Sequence, residues 1–143
     1  HHSASPQKGT TVDDIRKWHK KRGFNDIGYH AVIYENGGLH RGRPEHLMGA
    51  HAHGANLDSL GVCVTGNFEI EEPTEKQIAK LIYVLAYWCS KYGIDPGEIY
   101  GHRDKGTTAT LCPGSNLYKY MSGIKNAVNR MNSNSSVILG WPA

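Results

Sequence analysis

The sequence predicts a single α/β domain in which about three helices flank a central mixed β-sheet. Helical and strand-like patterns alternate along the chain, which is typical of this fold class. The length of 143 residues suits one domain, and the 38% of hydrophobic residues is enough for a core. Because no apolar run approaches the length of a bilayer crossing, we expect no membrane span.

Three segments have the apolar period and the end signals of helices. The first covers residues 10–23 and begins with Thr11 and Asp14 at the spacing of a capping box. The second covers about 74–92 and carries one continuous apolar stripe, as expected of a helix buried along one face. The third begins near Ser115, again with apolar residues on one face.

Three shorter segments are predicted to be strands. Residues 30–34 and 39–43 flank an Asn-Gly-Gly turn at 36–38 and therefore predict a hairpin. Residues 59–65 alternate between larger apolar side chains and small ones. Small residues on one face favour close packing against a helix, so we expect this third strand to be central in the sheet.

The net charge and the reactive side chains limit the classes of function that the sequence suggests. The net charge of +3 (16 basic minus 13 acidic residues) suits an acidic polymer but is too small to indicate a nucleic-acid partner. The three cysteines are widely spaced and predict no disulfide framework. Nine histidines make metal binding a candidate function.

One loop concentrates potential metal ligands. His102 follows a short apolar segment, and Cys112 stands ten residues later, directly before Pro-Gly. Two such ligands are too few, so a zinc site here needs a third from elsewhere and leaves a fourth position for water. The alternative is a loop histidine beside a buried, inert thiol.

The order of several motifs resembles that of one enzyme family. Residues 1–131 are similar to the zinc N-acetylmuramoyl-L-alanine amidases of phage-lysozyme type, which share a fold with the peptidoglycan recognition proteins. The motifs that carry this resemblance are His-His-Ser-Ala-Ser at 1–5, residues 15–30 ending in Gly-Tyr-His, Gly-Ala-His at 49–51, residues 56–67, and Gly-His-Arg-Asp at 101–104 followed by Cys-Pro-Gly at 112–114.

The resemblance implies a zinc enzyme that hydrolyses peptidoglycan or muropeptides. Its zinc ligands would be His1, His102 and Cys112. The bond cleaved would be the amide between the lactyl group of N-acetylmuramic acid and L-Ala of the stem peptide, as in an endolysin. The alternatives are a non-catalytic peptidoglycan-binding module on the same fold and an amidase that recycles muropeptides. We expect a monomer that acts on the bacterial cell wall.

Further site residues follow from the same resemblance. Tyr29 matches the catalytic tyrosine. Thr110 occupies a position where the phage enzymes usually have Lys and the catalytic recognition proteins have Thr, although Thr107 or Thr108 competes for this role. Residues expected to bind the substrate are Arg43, His51 and Asn56.

The two ends of the sequence differ from the family pattern. Family members have an apolar strand before the first ligand, and nothing precedes His1 in this sequence, so we expect that strand to be missing. Residues 132–143 lie outside the resemblance and are expected to form a tail, with residues 1–131 as the amidase domain.

Overall fold

A mixed three-stranded sheet forms the centre of the molecule. The computed structural model describes residues 1–134 and 140–142. Its strands are β1 (Ala31–Ile33), β2 (Leu39–Arg41) and β3 (Val62–Val64), in the order β2-β1-β3. β1 pairs antiparallel with β2 and parallel with β3, which confirms the predicted hairpin and the mixed sheet.

β1 is the middle one of the three named strands, but β3 is also paired on both edges, with β1 on one side and residues 1–4 on the other. The prediction that residues 59–65 form an interior strand is therefore confirmed. The small residues of that segment face a helix. Cys63 is buried in a cluster with Val12 and Ile15 of the first helix, which packs directly on this face. The small residues therefore allow close helix packing on this face, as the sequence predicts.

The other edge of β3 is occupied by the first residues of the sequence. The carbonyl of Val62 accepts from the backbone nitrogen of His1 at 2.8 Å, and the amide of Val64 donates to the carbonyl of His1 at 2.9 Å. His2 forms a parallel bridge with Val64. This pairing places His1 beside the beginning of β3, at the end of the sheet where β1 also starts.

In the described part of the chain, four α-helices cover the sheet. α1 (Val12–Lys21) packs on one face, whereas α2 (Glu75–Tyr92) and α4 (Met121–Ser133) contribute to the larger core on the other. The predicted capping box of α1 is present, and α2 begins with a second one and ends at Gly93 in the left-handed conformation. The first two predicted helices are therefore confirmed.

The predicted third helix is divided in two. α3 (Ser115–Tyr118) and α4 are separated by Lys119 and Tyr120, whose ψ angles of −19° and −3° are too shallow for a continuous α-helix. The apolar face continues across this break, with Leu117, Ile124 and Val128 buried. The apolar period of the sequence therefore could not predict the break between α3 and α4.

The described part of the C-terminal tail contacts the body of the protein. The hydroxyl of Tyr83 donates to the carbonyl of Gly140 at 2.7 Å, and the Arg41 guanidinium lies 3.9 Å from the ring centre of Trp141. Residues 135–139 and 143, which belong to the predicted tail, lie outside the described residues. Within the described ranges, no helix is both long and apolar enough to cross a membrane.

Candidate active site

Three side chains from distant parts of the sequence converge at the end of the sheet where β1 and β3 begin. One ligand atom each from His1, His102 and Cys112 lies within 4.8 Å of the other two. Within residues 1–134 and 140–142, no other group of three His, Cys, Asp or Glu side chains meets this criterion. We refer to these three residues as the ligand cluster.

The geometry of the ligand cluster fits a tetrahedral zinc ion. With usual zinc–nitrogen and zinc–sulfur bonds, the two ligand atoms should be about 3.6 Å apart. The observed separation of His1 Nδ1 and Cys112 Sγ is 3.5 Å. His102 Nε2 is buried and has no hydrogen-bond partner among the described residues. Such an orphaned polar atom costs about 1–3 kcal/mol, a cost that a metal ligand role for this imidazole would offset.

The loop that carries His102 and Cys112 is closed by Arg103. Its backbone amide donates to the carbonyl of Cys112 at 2.8 Å, and its guanidinium donates to the carbonyl of Leu111. The guanidinium also forms a salt bridge of 3.4 Å with Glu69. These contacts hold two ligands, ten residues apart in sequence, at a fixed separation.

His1 and His2 face in different directions. His1 directs Nδ1 towards Cys112 Sγ, whereas its Nε2 lies 2.9 Å from Nδ1 of His51. His2 is buried, and its Nδ1 accepts from the amide of Phe68 at 3.1 Å. Burial lowers the pKa of His2 to about 4, so it remains a neutral acceptor at neutral pH. His2 therefore anchors the chain next to a ligand.

Tyr29 stands beside the ligand cluster. Its ring centre is 5.0 Å from that of His1, and its hydroxyl lies close to the thiol of Cys63. Burial, followed by the electrostatic effect of the nearby Cys63 and Cys112 side chains, raises the pKa of Tyr29 well above its usual value. The phenol therefore keeps its proton and can donate a hydrogen bond. The preceding Gly28 donates its amide to His19 Nδ1 at 2.8 Å.

The structure separates the three threonines considered for the same role. Thr110 is partly buried, and its Oγ1 accepts from the amide of Cys112 at 3.1 Å. Thr107 instead bonds to His53, through its hydroxyl at 2.8 Å and its backbone amide. Thr108 is exposed. Thr110 is thus the one of the three that contacts a member of the ligand cluster.

The three residues expected to bind substrate, Arg43, His51 and Asn56, differ in what their side chains contact. The guanidinium of Arg43 donates to the carbonyls of Asp26, Ile27 and Met48, so it holds two loop segments together. Asn56 Oδ1 accepts from the amides of His51 and the following residue, at 2.9 and 2.8 Å. Only His51 contacts the ligand cluster directly.

A cavity of about 700 Å³ opens next to His1 and His102. Its lining combines apolar side chains with polar and charged ones in similar proportion, and it includes His51, Asp58 and Lys105. The apolar lining residues are Leu60, Val62, Leu85, Trp88, Ile94 and Ile99.

Other reactive residues are structural. His30 is buried, accepts from the amide of Gly61 and bonds to the carbonyl of Leu47, as expected of a packed core histidine. Cys63 and Cys89 are free and buried, and burial raises the pKa of both thiols, to about 12 for Cys63. Neither thiol belongs to the ligand cluster.

Sequence reasoning missed several residues that organise the site. Arg103 was visible within Gly-His-Arg-Asp, but the motif does not indicate that its side chain closes the loop on Leu111. No sequence signal identifies His19 as the acceptor for Gly28, because the two meet only when α1 packs against the segment before β1.

Comparisons with known proteins point to one family. The profile of the family described as N-acetylmuramoyl-L-alanine amidase matches residues 1–115. The endolysin of Enterobacteria phage T3 is 33% identical over 123 residues, which span 82% of this chain and 79% of the phage protein.

Two solved structures have the same fold. The N-acetylmuramoyl-L-alanine amidase LysC from Clostridium intestinale superposes with a TM-score of 0.82 at 36% identity, over 90% of this chain and 81% of LysC. Drosophila PGRP-LB superposes with a TM-score of 0.75 at 31% identity, over 85% and 76% of the two chains. The predicted α/β fold is that of these proteins.

Proposed function

The chain belongs to the N-acetylmuramoyl-L-alanine amidase family and acts on peptidoglycan, and from this premise we propose that its amidase activity depends on zinc. The bond hydrolysed is the amide between the lactyl group of N-acetylmuramic acid and L-Ala of the stem peptide. The observation that carries the proposal is the convergence of His1, His102 and Cys112. Two imidazoles and one thiolate are a usual donor set for zinc that retains one position for water.

Each residue of the site has a defined task in this reaction. Zinc, when bound, supplies a water of lowered pKa and polarises the scissile carbonyl. His1, His102 and Cys112 hold it, and the loop contacts of Arg103 keep two of these ligands in place. Tyr29 donates a hydrogen bond to the oxyanion that develops when water attacks, which is a role realised in the transition state.

Thr110 has two tasks in the proposal. Its hydroxyl donates to the same oxyanion or to the attacking water, while its Oγ1 accepts from the amide of Cys112 and so orients a ligand. A hydroxyl is a weaker electrostatic partner than an ammonium group. Stabilisation of the oxyanion therefore depends more on Tyr29 and the metal in this protein than it would in an enzyme with Lys at position 110.

Removing the hydroxyl of Thr110 should lower turnover moderately. We expect Thr110→Ala to reduce kcat about tenfold, roughly the value of one neutral hydrogen bond, and Thr110→Ser to retain most activity. Thr110→Lys should keep measurable activity. The measurement is kcat and KM on a soluble muropeptide, with zinc content determined for each variant. Equal kcat for the Ala variant and the wild type would exclude a role for this hydroxyl.

Metal removal tests the zinc proposal itself. Protein treated with a chelator should lose hydrolysis of purified sacculi and of soluble muropeptides, and one equivalent of Zn²⁺ should restore it. Mass spectrometry should find peptides that begin with L-Ala. Undiminished hydrolysis by metal-free protein would overturn the proposal. Activity on soluble muropeptides without clearing of sacculi would indicate the recycling role.

A further inference from the structure

The ring nitrogen of His1 that faces away from the ligand cluster, Nε2, has a side-chain partner. His1 Nε2 lies 2.9 Å from His51 Nδ1, and the two rings meet edge to face with centres 5.0 Å apart. We propose that His51 is a positioning residue that fixes the tautomer and ring orientation of the metal ligand His1. This inference rests on the proposed zinc site but concerns a residue outside the ligand cluster.

If His1 binds zinc, the donor and the acceptor of each hydrogen bond around His51 are fixed. If His1 binds zinc through Nδ1, its proton is on Nε2, and His51 Nδ1 must accept it. The proton of His51 is then on Nε2, which lies 3.4 Å from Ser59 Oγ. Ser59 in turn donates to the carbonyl of Ala55 at 2.5 Å. The chain of bonds thus runs from the ligand to a backbone carbonyl, which can only accept.

The imidazole of His51 lies in a slot formed by two glycines. A Cβ atom on Gly61 would come within 2.5 Å of His51 Cγ, and one on Gly49 within 2.5 Å of its Cδ2. Either contact is far closer than van der Waals separation, so both positions must lack a side chain for the ring to occupy this place. The slot restricts the ring to the orientation that meets His1.

The backbone around His51 is also held. Asn56 Oδ1 accepts from the amide of His51 and from the next amide, and His30 Nδ1 accepts from the amide of Gly61 at 3.1 Å. Asn56, which sequence comparison suggested as a substrate ligand, therefore supports the segment that carries His51. Such outer partners of a metal-binding histidine commonly change metal affinity 10–100-fold.

Zinc affinity and the tautomer of His1 together test the proposal. His51→Leu removes the acceptor and should weaken zinc binding about 10–100-fold in competition with a chromophoric chelator. His51→Asn places an amide oxygen where Nδ1 stood and should recover much of that loss. Ser59→Ala should have a smaller effect. Long-range ¹H–¹⁵N NMR of the metal-free wild type should show His1 protonated on Nε2, and His51→Leu should show a mixture of tautomers.

These readouts separate failure of the inference from failure of the proposed function. Wild-type protein that binds no zinc contradicts the zinc proposal, and the NMR comparison in metal-free protein still decides the role of His51. If His51→Leu binds zinc as the wild type does and leaves the His1 tautomer unchanged, the inference is wrong. A raised KM with unchanged zinc affinity would instead indicate that His51 contacts the substrate. Should His51→Leu not fold, the tautomer of His1 in the metal-free wild type still decides, because protonation on Nδ1 instead of Nε2 would contradict the inference.

Discussion

Replacing Cys112 with Ala should nearly abolish both zinc retention and turnover. The change removes the single thiolate of the ligand cluster and leaves two imidazoles, which are too few for a stable zinc site. We expect zinc affinity to fall by more than about 100-fold, because even loss of an outer partner of a ligand costs up to that factor. The measurements are zinc content after dialysis and the rate of muropeptide hydrolysis.

Cys89→Ala is the matched control for this change. Cys89 is also a free, buried cysteine, but it lies on α2 and packs in the main core. Its replacement should leave zinc content at one per chain. If Cys89→Ala lost zinc while Cys112→Ala retained it, the assignment of the thiolate ligand would be wrong.

Replacing Tyr29 with Phe should lower kcat by roughly 10²–10³ with little change in KM. That is the usual cost of losing one oxyanion donor, and an interaction made only in the transition state acts on kcat. The phenyl ring preserves packing against His1, so zinc content and thermal stability should remain near those of the wild type. The measurement is steady-state kinetics on a soluble muropeptide.

Cys63→Ala is the control for the contact that the Tyr29 hydroxyl makes when no substrate is bound. In the structure the Tyr29 hydroxyl lies close to the Cys63 thiol, so the tyrosine substitution also removes that contact. If Tyr29 acts on the substrate, Cys63→Ala should retain most of the activity that Tyr29→Phe loses. Near wild-type kcat in zinc-loaded Tyr29→Phe would contradict the catalytic assignment.

Local patterns predicted much of the fold. Thr11 with Asp14 and Thr74 with Gln77 both form the capping boxes that their spacing indicates. The hairpin of β1 and β2 also forms around its Asn-Gly-Gly turn. These features depend on residues within one element or one turn, so short-range sequence information is sufficient.

Features that depend on distant contacts were predicted poorly. The pairing of residues 1–4 along the outer edge of β3 joins segments that are distant in the sequence, and the alternation within residues 59–65 does not identify this partner. The break at Lys119 and Tyr120 leaves the apolar face intact, so the period of the sequence passes over it.

The candidate site shows the same difference between features set by nearby residues and features set by distant contacts. The spacing of His102 and Cys112 indicated a metal, but it supplied neither the third ligand nor its position. His1 joins them because residues 1–3 pair with β3, a contact between segments some 60 residues apart. Likewise, the three carbonyls that the Arg43 guanidinium contacts come from loops brought together by folding, so the sequence does not indicate these bonds.

X-ray absorption at the zinc edge tests the central claim most directly. Zinc-loaded wild-type protein should show one sulfur neighbour at about 2.3 Å and two imidazole nitrogens at about 2.0–2.1 Å, with a further light atom from water. Cys112→Ala, examined at saturating zinc, should lose the sulfur neighbour, whereas Cys89→Ala should keep it. A zinc environment without sulfur in the wild type, or one whose sulfur survives in Cys112→Ala, would contradict the assigned site.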